Sequence, residues 1–336
     1  ISTWKGILMK KWKLGVTASI LSTMLLAACG SDEPTNSAGD SEKTYEIGIT
    51  QYVEHPSLDE ATKGFKQALK DQGLEVEYNE QSAQGDANNT LPIAKNFVSQ
   101  GVDLIFANAT PSAQAAVQST KDIPIVFTSV TDPVGAQLVS SMEAPGGNVT
   151  GTSDANPEAI PSTVKFIAEE MGAKKVGTVY NAGEQNSVVQ IDQMKEEVEK
   201  VGLELVEASA ATSAEVKQAT ESLAGKVDVI YIITDNTVVS ALESVIMVAN
   251  DKDIPLFVGE LDSLQKGGFI AYGFNYYDIG YQAGEMAADI LKNEKKAGDI
   301  PAGYPEQLKL VLNEKAAKEQ GIEVKPEWKE NAEIVK

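Results

Sequence analysis

The sequence holds no arginine, one cysteine and one histidine in 336 residues. Each scarcity closes off some chemistry. Without arginine, a bound carboxylate or phosphate has no bidentate guanidinium to meet, so backbone N–H, hydroxyl, amide or lysine must hold it. The formal net charge is -21. The basic clusters that neutralise phosphates are missing, which argues against a nucleic-acid partner. Cys29 alone makes no intrachain disulfide, and His55 alone excludes histidine-rich zinc sites and the HExxH arrangement. There is no P-loop, GxSxG elbow or GxGxxG run, which lowers the case for nucleotide chemistry and for the commonest serine hydrolases. No cofactor and no metal is expected.

What is present is repetition. Val102-Asp103-Leu104-Ile105-Phe106-Ala107-Asn108-Ala109-Thr110-Pro111-Ser112 leads through a polar helical segment to Asp122-Ile123-Pro124-Ile125-Val126-Phe127. Val227-Asp228-Val229-Ile230-Tyr231-Ile232-Ile233-Thr234-Asp235-Asn236-Thr237 leads likewise to Asp253-Ile254-Pro255-Leu256-Phe257-Val258. Each copy reads as buried strand, polar tip, helix, buried strand, which makes two similar α/β halves. The length gives each half room for its own core.

The first residues read as a leader. Lys10, Lys11 and Lys13 follow Met9, the expected true start, and precede an apolar run from Leu14 to Leu25. Leu26-Ala27-Ala28-Cys29 then matches the bacterial lipobox, which makes residues 1–28 a signal peptide and Cys29 the lipidated N-terminus. The plainer reading is a short uncleaved anchor with a chance cysteine. Residues 29–43 are, after Cys29, mostly Ser, Asp, Glu, Asn, Gly and Pro without apolar periodicity, a disordered tether.

From Tyr45 onward strands alternate with helices, the pattern of doubly wound parallel sheets. Ser57 with Glu60 reads as a capping box, and Thr110-Pro111 as a cap followed by N1 proline. Pro145 to Gly151 is the strongest break, read as the first crossing between lobes. The strand from Phe269 to Phe274 is expected to cross back, and Leu308 to Leu312 to return to the second lobe. This assigns 44–150 plus 270–300 to the N-terminal lobe and 151–269 plus 301–336 to the C-terminal lobe, joined by a three-stranded hinge.

Ligands of open parallel sheets sit beyond the carboxyl ends of the strands. The polar tips there are Gln51, Tyr52, Glu54, Asn108, Thr110, Ser112, Thr128, Thr131 and Asp132 in one lobe, and Asn181, Glu184, Asn186, Ser187, Asp235, Asn236 and Glu260 in the other. No nucleophile–base pair assembles from them. Amides and hydroxyls at helix starts suit a small molecule bearing a carboxylate, and Asp235, Glu184 or Glu260 could hold an ammonium group, Asp235 first. Plainer roles compete: Thr110 and Asn236 as caps, Tyr52 packed on its own lobe, His55 in an exposed loop. Asp103 and Asp228, at strand starts, read as structural.

These tips carry a resemblance. Gln51 to Asp59, Asn108-Ala109-Thr110-Pro111, Val130 to Gly135, Asn148 to Asp154, Tyr180 to Ser187, Thr234 to Thr237 and Tyr276 to Gly280 are similar to segments of the substrate-binding lipoproteins of bacterial ABC importers, the ABC-sub-bind family. The resemblance covers Tyr45 to the C-terminus. It implies a two-lobed periplasmic-binding-protein-like fold and an extracytoplasmic, lipid-anchored monomer serving ABC permease subunits. It also implies an amino-acid ligand, aromatic ones such as tryptophan or tyrosine in particular. The residues alone do not separate tryptophan from tyrosine or a branched aliphatic ligand. A sensor domain for a signalling receptor, or an enzyme on the same scaffold, is the alternative.

Overall fold

The computed structural model describes residues 43–335. The expected leader, the lipidation site Cys29 and all but the last residue of the tether lie outside the described residues.

The first half alternates β1 (Thr44–Gln51), α1 (Pro56–Asp71), β2 (Glu75–Ser82), α2 (Ala87–Gln100), β3 (Leu104–Asn108), α3 (Thr110–Ser119), β4 (Ile125–Val130) and β5 (Val149–Ser153). These strands form one parallel sheet in the order β2-β1-β3-β4-β5. The second half runs α4 (Ala159–Glu170), β6 (Lys175–Tyr180), α5 (Gln185–Lys200), β7 (Glu204–Ser209), α6 (Val216–Leu223), β8 (Val229–Ile232), α7 (Asn236–Ser240), α8 (Leu242–Asp251), β9 (Leu256–Val258), α9 (Leu261–Lys266) and β10 (Ile270–Gly273). The chain ends with α10 (Tyr276–Asn293), β11 (Lys309–Asn313), α11 (Glu314–Glu319), α12 (Pro326–Glu330) and β12 (Glu333–Val335). The second sheet has the order β12-β11-β10-β9-β8-β6-β7, with β11 antiparallel to β10.

The repeat is physical. The order β2-β1-β3-β4 in one sheet matches β7-β6-β8-β9 in the other. The structural reading of the two strand-start aspartates holds as well. Asp103 accepts the N–H of Glu46 at 2.9 Å, and Asp228 accepts those of Lys174 at 2.7 Å and Lys175 at 2.9 Å, each pinning the start of its neighbouring strand. The fold is a two-lobed α/β architecture of the periplasmic-binding-protein type.

The crossings differ from the sequence expectation. Pro145 to Gly151 is the turn into β5, which completes the first sheet beside β4, so the first crossing follows Ser153. Residues 270–273 do not enter the first lobe. β10 pairs with β9 and β11 in the second sheet, because it is apolar on both faces and follows β9 after one short helix. The chain crosses at Phe274-Asn275, where the Asn275 side chain accepts from Tyr277 N–H and starts α10. α10 then packs along α1. Gly64, Gly280 and Gly284 let the helices approach so closely that a Cβ on any of them would collide with the facing backbone.

The crossings are tied together. Gly303 N–H donates to Gly151 O at 2.9 Å, and Ser153 N–H to Gly303 O at 2.8 Å. Tyr276, just past the second crossing, donates its hydroxyl to Asp154 at 2.9 Å, just past the first. This bundle joins the lobes on one side of the cleft.

Candidate functional site

The first rim is built where β3 gives way to α3. The residue before the helix is Ala109, with φ 81° and ψ 153°, a conformation that favours glycine. It places Thr110 at the first helical position and Pro111, which has no N–H, at the second. No side chain caps this helix, so its first N–H groups have no intrahelical partner. Thr110 is therefore not the cap expected from sequence. Its hydroxyl is buried and has no hydrogen-bond partner among the described residues.

The neighbouring tips repeat that condition. Asn108 donates its amide to Leu58 O at 2.8 Å, Thr62 Oγ1 at 3.0 Å and Gln51 Oε1 at 3.3 Å, and its Oδ1 is buried without a partner. Gln51 is held by Asp59 at 2.7 Å, so it orients Asn108. At the end of β4 the register with β5 slips, and Ser129 takes φ 56° with its buried hydroxyl unpartnered. Thr128 bonds Thr152 at 2.8 Å, and Thr50 donates to Ser112 at 3.4 Å. Tyr52 donates to Gly85 O at 3.0 Å; burial and the nearby Glu184 and Asp235 hold its hydroxyl protonated.

Most of the second rim is satisfied from within, with Gln185 Oε1 and Asn186 Oδ1 the exceptions. Asp235 is fully buried; its Oδ1 accepts Val238 N–H at 2.7 Å, and its Oδ2 accepts Asn181 N–H at 2.6 Å and Ser187 Oγ–H at 2.7 Å. It caps α7 and stitches β6 and α5 to β8, which leaves it poorly placed as the ammonium partner expected from sequence. Burial and the adjacent Glu184 push its carboxyl well above the usual carboxylate range. Glu184 accepts Thr237 N–H at 3.0 Å, Thr237 Oγ–H at 2.7 Å and the Asn236 amide at 2.6 Å. Asn181 joins the network through Thr237 at 2.9 Å. Asn186 keeps a buried, unpartnered Oδ1. Asn236 is not a cap either, because Asp235 precedes it in that role.

The lobes meet across two polar contacts. His55 Nε2 lies 3.5 Å from Asn236 Oδ1, and Ser57 Oγ donates to Glu260 Oε2 at 2.7 Å. Ser57 thus leaves its expected capping role for the other lobe, while His55 precedes α1. α3 also packs against α5 across the cleft.

Three expected residues lie elsewhere. Glu54 is exposed, in a depression with Lys63, Lys66 and Glu80. Asp132 caps a turn through Gly135 N–H at 2.8 Å, and Thr131 bonds the hinge residue Asp154 at 2.9 Å. Ser129 and Ser57 enter the cleft although sequence gave them no ligand role, and His55, left even between an exposed loop and the cleft, is in the cleft. The signals were weak: a serine inside a tip already noted, and a His-Pro-Ser run that reads first as a helix start.

The arrangement is a buried cleft whose walls present oriented amides, hydroxyls and helix N–H groups around buried acids. It suits capture of a small polar molecule. Proteins similar to this chain agree. A tyrosine-binding protein of Clostridioides difficile (strain R20291) is 43% identical over 313 residues, 90% of each chain. A crystal structure of an ABC domain in complex with L-Trp from Streptococcus pneumonia is 32% identical with TM-score 0.82, covering 88% of this chain and all of that one. The ligand-free, open structure of a substrate binding protein with adhesive properties from Clostridium difficile is 42% identical with TM-score 0.63, covering 87% of this chain and 99% of that one. A family model described as ABC transporter substrate binding protein matches residues 46–336. That match spans both lobes, the hinge and every cleft residue described above, and the chain belongs to the ABC transporter substrate binding protein family.

Proposed function

We propose that the protein captures a free aromatic amino acid, tyrosine or tryptophan, between its lobes and delivers it to an ABC permease while tethered by lipid at Cys29. One observation carries the reading: Asn108 Oδ1, Thr110 Oγ1, Ser129 Oγ and Asn186 Oδ1 are buried at strand ends and helix starts without protein partners. Burying one such group unpaired costs about 1–3 kcal/mol. A ligand rich in charge-assisted hydrogen bonds offsets that cost.

The chemistry divides between the rims. The ligand carboxylate lies at the start of α3, against the N–H groups of Thr110 and Ser112 and the hydroxyls of Thr110 and Ser129. The ammonium group faces Asn186 Oδ1 and the carboxyl oxygens of Glu184, with Asp235 behind it. Tyr52 borders the same space and offers the ligand ring an aromatic face. The lobe setting supports a ligand-competent state: the overall match is better to the L-Trp complex at 32% identity than to the open form at 42%. A rotation of one lobe against the other lowers such a match without altering either lobe.

Titration calorimetry of the mature chain with L-tyrosine, L-tryptophan, L-leucine and deaminated tyrosine tests the ligand. Micromolar or tighter binding is expected for an aromatic amino acid, with the deaminated analogue weakened at least about a hundredfold, since an unpaired buried charge costs about 3–5 kcal/mol. Equal affinity for leucine, or none for either aromatic, sinks the reading. For the anchor, Cys29→Ala should release the protein from washed membranes; a variant that stays bound removes the lipid from the proposal.

A further inference from the structure

The lobe interface holds two titratable groups that the ligand chemistry above does not use. Glu260 starts α9 on the second lobe and is 3% exposed. It accepts Ser57 Oγ–H from α1 of the first lobe at 2.7 Å and Ser263 Oγ–H from its own helix at 3.0 Å. The ionisable groups acting on it are Asp262 on α9 and Asp154 at the first crossing, and Tyr276 of α10 also lies within its field. No lysine is among them, and among the described residues no salt bridge reaches Glu260. His55 precedes α1 on the first lobe and is 4% exposed. Its Nε2 faces Asn236 Oδ1 of the second lobe, with Glu184 behind Asn236, and Lys266 of α9 is the cation acting on it. Its Nδ1 has no partner. Both groups are covered by the opposite lobe, so separating the lobes returns both to water.

We propose that closing the lobes exchanges protons with solvent: Glu260 takes one up as it is buried against Ser57, and His55 gives one up as it is buried against Asn236. Ligand capture is then linked to pH through residues that need not touch the ligand. The inference rests on the reading of the cleft as an amino-acid site.

The two exchanges work over different ranges. Burial pushes the Glu260 carboxyl from its ordinary 4.5 up to about 8, and pushes the His55 imidazole from 6.5 down to about 4. With those values for the closed state and ordinary values for the open one, closure at pH 7 takes up about 0.7 proton, roughly 0.9 in at Glu260 and 0.2 out at His55. By pH 5.5 the two cancel, to about zero net. Affinity therefore rises about tenfold as pH falls from 9 to 7 and levels off below about 6.

Calorimetry with L-tyrosine and L-tryptophan in buffers of low and high ionisation enthalpy counts these protons. The mature protein should take up most of one proton at pH 7 and none at pH 5.5. Glu260→Gln keeps an acceptor for Ser57 and should abolish the uptake at pH 7. His55→Gln should extend a near-whole uptake down to pH 5.5. Binding without buffer-dependent heat at pH 7 overturns the inference and assigns Glu260 to the ligand ammonium group, which would keep the carboxylate charged. Uptake that survives Glu260→Gln also overturns it. If neither aromatic amino acid binds, the amino-acid reading fails and takes this inference with it, an outcome distinct from binding without proton exchange.

Discussion

Thr110 and Asp235 stand at corresponding places in the two halves, where β3 and β8 hand over to helices. Asp235 is caught between Val238, Asn181 and Ser187, with both oxygens occupied. Thr110 is as deeply buried, and its hydroxyl bonds nothing in the protein. The contrast is looser along the rims. Asn181, Glu184, Asp235 and Thr237 of the second bond one another, with Gln185 Oε1 and Asn186 Oδ1 left open, whereas Asn108, Thr110 and Ser129 of the first all keep atoms in reserve. A wall satisfied from within holds its shape whether or not a ligand is present. A wall of unpaired groups is stable in water but costly once covered, so closure over it is favoured only when something fills the bonds. The first rim thus offers the ligand most of its open groups, while the second adds Asn186 Oδ1 to a wall that otherwise keeps its shape.

The largest expected effect breaks the second wall. Asp235→Ala removes a cap and leaves the N–H groups of Val238 and Asn181 and the Ser187 hydroxyl unpaired. It should cost about 3 kcal/mol of folding stability at pH 5 by urea denaturation. The sign of the pH dependence follows from its carboxyl being raised above the usual carboxylate range by burial and Glu184. Such a group contributes fully below its unfolded pKa and loses its contribution as pH rises through the folded one. The gap between parent and variant should therefore narrow from pH 4 to pH 8. A variant as stable as its parent that has lost only ligand affinity would return Asp235 to the ammonium role expected from sequence.

That expectation shows where sequence reasoning reached and where it stopped. Strand and helix alternation, the internal repeat and the polar tips were legible because they follow from local periodicity, and the lobes and their facing tips come from them. Which strand joins which sheet was less so. Ile270–Gly273 is apolar on both faces in either lobe, so only pairing with β9 decides it. The division of labour between the rims was illegible for a related reason. Asp235 and Thr110 occupy matching slots, and a cap and a ligand donor use the same residue types. What separates them is the geometry of the helix entry: an ordinary extended residue at Asp235, with φ -91°, against the left-handed Ala109 that leaves α3 uncapped. The role of Ser57 was hidden because its partner, Glu260, is 203 residues away.

The smaller effect breaks the first wall, and it separates ligand chemistry from folding most cleanly. Thr110→Val keeps the shape and branching of the side chain and removes only the hydroxyl. That oxygen has no partner in the protein, so folding loses no hydrogen bond and gains up to about 1 kcal/mol from one less buried polar atom. Ligand binding should move the other way. A hydrogen bond to a charged group is worth about 1.5–3 kcal/mol, which is about a tenfold to hundredfold weakening for the aromatic amino acid. The loss should also depend on the ligand's charge. An uncharged amide in place of the ligand carboxylate should bind parent and variant with nearly equal, weaker affinity, because the charge-assisted part of the bond is gone from both. Thermal unfolding without ligand and calorimetry with each of the two ligands supply the needed values. A variant that binds the amino acid as tightly as its parent would move the carboxylate away from the start of α3. The unpaired hydroxyls of the first lobe would then have to be matched to another part of the ligand.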